Sequence, residues 1–123
     1  MAPRSIDFNL LARAAEARGV AAGEVVFSAG DPGSELYVVK SGAVEIRAAD
    51  GRVLETVGPD GIFGEMALID NEPRSASAVA VADGEIVPLA ERQFLFLVGE
   101  APYFALGLMG VMARRLRAAT ARS

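Results

Sequence analysis

The 123-residue sequence predicts a mainly β domain: a jelly-roll-like β-roll preceded by one helix and followed by two. Three observations carry that prediction. Between Val25 and Pro88 the chain breaks into short β-rich segments separated by Gly, Asp and Pro at near-even intervals, the pattern of strands that close into a roll. The last third instead repeats its apolar residues at helical spacing. Hydrophobic residues make up 52% of the chain, enough for a single core without disulfide or metal staples.

Residues 6–17 are expected to form a short helix, with Ser5 as N-cap, Phe8, Leu10, Leu11 and Ala14 at helical spacing, and Gly19 as its stop. Strands are expected at residues 25–27, 36–41, 43–48, 54–57, 77–81 and 85–89. Asp50-Gly51 and Asp83-Gly84 are hairpin signals, because a primed turn needs positive φ and glycine adopts it freely. Gly30, Gly33 and Gly42 are assigned to turns with no ligand role, and Asp31-Pro32-Gly33 is a turn former.

Residues 91–98 are expected to form the first C-terminal helix, with a break at Gly99 and Pro102 and a final helix over residues 102–119. On that helix Leu106, Met109, Ala113 and Leu116 form one stripe, with Leu108 and Met112 beside it. The stripe is expected to pack on the core and to edge a lid. Gly107 and Gly110 each weaken the helix by about 1 kcal/mol relative to Ala. They serve either close packing or mobility. No repeat or linker interrupts the pattern, so residues 1–123 are expected to be one domain.

Cys and His are both absent. That excludes disulfides, thiol nucleophiles, iron–sulfur clusters, zinc sites built on Cys or His, and His-based acid–base catalysis. No run of about 18 apolar residues and no signal-like N-terminus is present, so the expectation is a cytoplasmic protein without a membrane span. Net charge is −4, unevenly spread: residues 1–100 carry 16 acids against 8 bases, and residues 101–123 carry four Arg and no acid. The acidic body argues against nucleic-acid binding. The four Arg complement the C-terminal end of a helix dipole, or contact a membrane or acidic partner.

The most informative stretch runs from Phe63 to Val79. Gly64-Glu65 precedes a short apolar run, and Arg74 follows nine residues after Glu65, with Ser75 beside it. Gly64 permits a tight turn close to a ligand. The residues after it can form one helical turn whose N–H groups face an anion. Arg74 offers a fork of donors to phosphate oxygens, and Ser75 adds a hydroxyl. Glu65 makes sense beside an anion only if it faces a sugar hydroxyl. Alternatively, it is an exposed strand-end carboxylate, or it pairs with Arg74. Ser77 lies on the same side of a strand as Ser75, as ligand contact or solvated residue. Asp70 and Glu72 are expected in solvent.

Phe63-Gly64-Glu65-Met66-Ala67-Leu68, followed by Pro73-Arg74-Ser75-Ala76, resembles the phosphate-binding cassette of the cyclic-nucleotide-binding domain family. Gly23 to Phe27 and Gly30 to Gly42 resemble the family's first strands and turn, and the match covers about residues 20–120. The resemblance implies a β-roll that binds cAMP or cGMP through Gly64, Glu65, Met66, Ala67, Arg74, Ser75 and Ala76. Glu65 would take the ribose 2′-hydroxyl and Arg74 the cyclic phosphate. Arg115 or Leu116 would cap the base as the C-terminal helix moves. Ser75, where cGMP binders often carry Thr, leans the reading toward cAMP, and cyclic dinucleotides remain open.

The expected function is therefore a non-enzymatic receptor, monomer or weak dimer, acting through an effector protein. The DNA-reading helix-turn-helix that follows this helix in transcriptional relatives is not expected in these residues. One rival is an interaction module of the same fold without ligand. The other is a cupin-like enzyme, which the lack of His disfavours.

Overall fold

The computed structural model describes residues 8–122. Its elements in chain order are α1 (Phe8–Ala14), β1 (Arg18–Val20), β2 (Val25–Phe27), β3 (Glu35–Ser41), β4 (Val44–Arg47), β5 (Val53–Val57) and β6 (Ile62–Phe63). They continue with α2 (Met66–Asp70), β7 (Ser77–Ala80), β8 (Gly84–Ala90), α3 (Glu91–Glu100) and α4 (Pro102–Arg122). The strands form two four-stranded antiparallel sheets, ordered β1-β8-β3-β6 and β2-β7-β4-β5. This is the mainly β roll with terminal helices that the sequence predicts.

β3 shows why the roll closes. Leu36, Tyr37, Val38 and Val39 are all buried, because both faces of the strand are covered. Leu36 and Val38, opposite Leu89 and Val87 of β8, pack with Leu11, Leu97 and Leu108 from the helices. Tyr37 and Val39 point the other way, onto Val44, Val57, Ala78 and Ala80 of the second sheet. Two cores therefore share one sheet, and burying each large aliphatic or aromatic side chain contributes about 1.5–3 kcal/mol.

Several elements depart from the sequence-based expectation. α1 ends at Ala14 rather than Ala17, and Gly19 lies inside β1, where it pairs with Glu85. Burial of Val20 against the sheet outweighs the helix-stopping tendency of glycine. The expected N-cap Ser5 lies outside the described residues. β6, only two residues long, has too little sequence to show a period. Asp50-Gly51 does close the β4–β5 hairpin, but only Gly51 takes positive φ, and the loop holds three residues between Ala48 and Arg52. Asp83-Gly84 is not a hairpin turn: β7 and β8 lie in different sheets, so the chain crosses the roll there.

α3 runs through Gly99 to Glu100, and Ala101 caps it before Pro102 starts α4 at a bend of 118°. The stripe expected to face the core faces outward instead: Leu106, Met109 and Leu116 are 47%, 61% and 70% exposed. The core-facing side of α4 is Phe104, Leu108 and Met112, one turn apart. Helical periodicity identifies an apolar face without saying which of two neighbouring faces docks. A Cβ on Gly107 would meet nothing within 4 Å, and one on Gly110 only the end of Arg114. Close packing is thus not what either glycine serves. Among the described residues no single helix is long and apolar enough to cross a membrane.

Candidate functional site

The chain leaves β6 through Gly64 at φ +77°, a conformation open to glycine, and enters the single turn of α2, which Asn71 closes in the left-handed region. The N–H groups of Ala67 and Leu68 turn back onto the carbonyls of Gly64 and Glu65. The anion-facing helical turn expected from the sequence is therefore narrower, since those two donors are engaged within it.

Arg74 follows the loop and is 8% exposed. Its backbone is fixed to the β2–β3 turn by two bonds, Gly30 N–H to Arg74 O at 2.7 Å and Arg74 N–H to Asp31 O at 2.8 Å. Its Nη1 donates to Gly64 O at 3.0 Å and its Nη2 to Glu35 O at 2.8 Å. The guanidinium lies over the Phe27 ring at 4.1 Å, in an aromatic cluster where Tyr37 and Phe63 stack at 5.0 Å. Its Nε is buried without an acceptor. No carboxylate among the described residues pairs with this cation, so the alternative in which Glu65 neutralises Arg74 does not hold.

Gly33 has more than a turn role. A Cβ there would lie 2.2 Å from Arg74 Nε, and one on Gly64 would lie 2.9 Å from Nη1. Both glycines make room for the guanidinium, one on the β2–β3 turn and one on the cassette.

Glu65, 3% exposed, is paired with Arg115 of α4 through Nη1. The other side of the same guanidinium meets Glu55 of β5, with Nε at 3.2 Å and Nη2 at 2.6 Å from Oε2, while Nη2 also donates to Ile62 O at 2.7 Å. Burial would lower the Arg115 pKa. The hydrogen bonds and charges of Glu55 and Glu65 outweigh it and hold the group above its ordinary value.

These groups line one cavity of about 770 Å³, walled by β5, β6, α2, the loop to Arg74 and the C-terminal half of α4. Gly64, Glu65, Met66, Ala67, Arg74, Ser75, Ala76 and Arg115 all border it. Leu116 does not. The face that α4 turns to the cavity is Val111, Arg114, Arg115 and Ala118, one helical stripe, and Leu116 sits about 100° beyond Arg115 on the exposed side. Asp70 and Glu72 are exposed yet stand at the cavity rim. Ser77 neither faces solvent freely nor reaches a ligand position: its hydroxyl accepts from Ala29 N–H at 2.9 Å. Among the described residues no group of three or more His, Cys, Asp or Glu could hold a metal.

Sequence reasoning missed Phe27, Gly33 and the Glu35 carbonyl around Arg74, and Glu55 beside Arg115. The first three act through backbone or ring surface, which no motif spells. Glu55 is the one charged residue of β5, a signal that acquires meaning only with its partner on α4.

A buried fork of donors and a buried carboxylate, both lining a cavity on a β-roll, set this site beside known proteins. Residues 17–101 match the cyclic nucleotide-binding domain. The chain belongs to that family. It is 39% identical to the cyclic AMP receptor protein of Thermus thermophilus, over 97% of this chain and 56% of the relative. The crystal structure of the Thermus thermophilus catabolite activator protein superposes with a TM-score of 0.81 at 39% identity, covering 94% of this chain and 56% of that one. A structure reported for a cyclic-GMP-dependent signalling pathway in bacterial phytopathogenesis superposes with a TM-score of 0.77 at 29% identity, covering 90% and 92%. This cyclic nucleotide-binding domain thus spans about half the length of its Thermus relative.

Proposed function

We propose that the chain is a receptor for a cyclic nucleoside monophosphate, cAMP before cGMP, that signals through α4. The observation that carries this reading is Arg74: a buried cation held by carbonyls and an aromatic face, with no carboxylate partner among the described residues and one donor unused. Burying such a charge is costly unless an anion completes it. A singly charged cyclic phosphate on Arg74 places the attached ribose within the cavity that Glu65 lines. The carboxylate accepts from the 2′-hydroxyl, and the base extends toward the Val111–Ala118 side of α4. Ser75 beside Arg74 and the name of the Thermus relative support cAMP. The cyclic-GMP-dependent pathway for which the second structure is reported keeps cGMP in view. The reading assigns output to an effector protein, no catalysis and no cofactor to the domain, and a monomer or weak dimer in the cytoplasm.

One observation favours a second reading. Glu65 already has Arg115 as a partner, as it would in an interaction module of this fold that takes no ligand. Calorimetry and thermal unfolding with cAMP, cGMP and acyclic 5′-AMP separate the two. A cyclic nucleotide at about 100 times its dissociation constant is expected to stabilise the domain by about 2.7 kcal/mol, with 5′-AMP far weaker. Silence across this panel and across cyclic dinucleotides added to it would establish the ligand-free module.

A further inference from the structure

Arg115 has two carboxylate partners, and only Glu65 belongs to the cassette. We infer that Glu55 is a positioning residue for the proposed nucleotide site: it anchors Arg115 to the roll and thereby keeps α4 over the cavity while Glu65 remains able to serve the ligand. The inference rests on the receptor reading and adds to it a residue outside the cassette.

The geometry divides the guanidinium between its partners. Nε and Nη2 both donate to Glu55 Oε2, with Nε also 3.4 Å from Oε1, so two donors of one edge of the guanidinium are held by a single carboxylate. Nη2 uses its second hydrogen on Ile62 O, leaving Nη1 for Glu65 Oε1. That contact engages one oxygen of Glu65. A carboxylate accepts on both oxygens, so Oε2 can take a hydroxyl while Arg115 stays in place. The cavity of about 770 Å³ exists with these contacts made. It falls within the ~300–1,000 Å³ usual for small-molecule sites, so α4 need not lift for a ligand to fit.

Without Glu55, Arg115 would keep only Glu65 Oε1 and Ile62 O, so any movement of Glu65 toward a ligand would loosen the helix with it. With Glu55, β5 holds the helix independently of the ligand. The domain is then preorganised, and the fraction of molecules with α4 closed enters directly into the apparent affinity. Arg114 is the other charged residue that α4 turns to the cavity, and no ion pair joins it to the roll among the described residues.

The test uses the full chain as wild type, Glu55→Gln, Glu55→Asp, Arg115→Gln and the Glu55→Gln/Arg115→Gln double variant. Hydrogen exchange needs no nucleotide: amides of residues 111–118 should exchange faster in Glu55→Gln, to an intermediate extent in Glu55→Asp, and those of β3 should not change. Stopped-flow dissociation of cAMP and cGMP should be three- to tenfold faster in Glu55→Gln, and adding that change to Arg115→Gln should alter the rate less than twofold. A carboxylate that merely stabilises β5 would shift the melting temperature and leave exchange in α4 and the dissociation rate alone. Exchange in α4 unchanged by Glu55→Gln overturns the inference. So does a dissociation rate within twofold of wild type, or additivity of the two substitutions. If the wild type binds neither nucleotide, the receptor reading fails, and exchange in α4 alone decides whether Glu55 anchors the helix.

Discussion

Arg74 and Arg115 both present guanidinium groups to the same cavity, yet the first is held by backbone carbonyls and an aromatic ring and the second by two carboxylates. The carbonyls of Gly64 and Glu35 orient Arg74 without cancelling its charge, and Phe27 shields it from water. Its charge is left without a carboxylate partner among the described residues, and its buried Nε without an acceptor. Glu55 and Glu65 more than neutralise Arg115, so that residue joins helix to roll and offers little to a phosphate. The two arginines thus differ in burial, Arg74 being buried and Arg115 half-buried, and in their partners: carbonyls leave a charge standing where carboxylates cancel it.

The largest expected effect tests the binding side of that contrast. Arg74→Ala should weaken cyclic-nucleotide binding at least tenfold, since truncating one member of a shielded charge pair costs about 2–5 kcal/mol. Calorimetry checks the affinity, and circular dichroism checks that the roll survives. Affinity within a factor of two of wild type would remove Arg74 from the site and erase its difference from Arg115.

A smaller effect should come from a position with no side chain at all. Gly33→Ala places a methyl 2.2 Å from Arg74 Nε, so the flexible guanidinium must shift while the turn itself has an ordinary φ. Binding should fall by about 1.5–3 kcal/mol, the scale of one hydrogen bond to a charged group, with the melting temperature nearly unchanged. Unaltered affinity would show that the orientation of Arg74 is not set by this contact.

The smallest effect sharpens the strut side. Glu65→Ala should cost about 1.5 kcal/mol for the natural cyclic nucleotide, the low end for a hydrogen bond to a charged group because the carboxylate is shared with Arg115, and much less for its 2′-deoxy analogue. The two losses should not add, because each removes one side of the same contact. Full additivity would assign Glu65 wholly to Arg115.

The cassette was legible because its residues are nearly consecutive: Gly64, Glu65, Arg74 and Ser75 lie within a dozen positions, and all four border the cavity. Six of the eight strands among the described residues were legible for the same reason, each carrying its own apolar run between turn residues. β1 was not, since Arg18-Gly19-Val20 becomes a strand only by pairing with β8, and Asp83-Gly84 resembles a hairpin because a turn signal does not reveal which sheet the next strand joins. Leu116 was misplaced by one helical step, as α4 has apolar residues on adjoining faces and only the bend at Ala101–Pro102 sets which one turns inward.

By itself, then, the sequence determined the β-roll with its terminal helices, the absence of Cys and His chemistry, and the identity of the cassette, all properties written in neighbouring residues. Only the tertiary structure decided that Gly33 and Phe27 enclose Arg74, and that Glu55 and Glu65 share Arg115. Those contacts join positions as far apart as 55 and 115. A single charged residue carries no local mark of its partner, and the pairing emerges only when folding brings distant strands and helix together around Glu65, the one member of the three that is withdrawn from water and must find its opposite charge there.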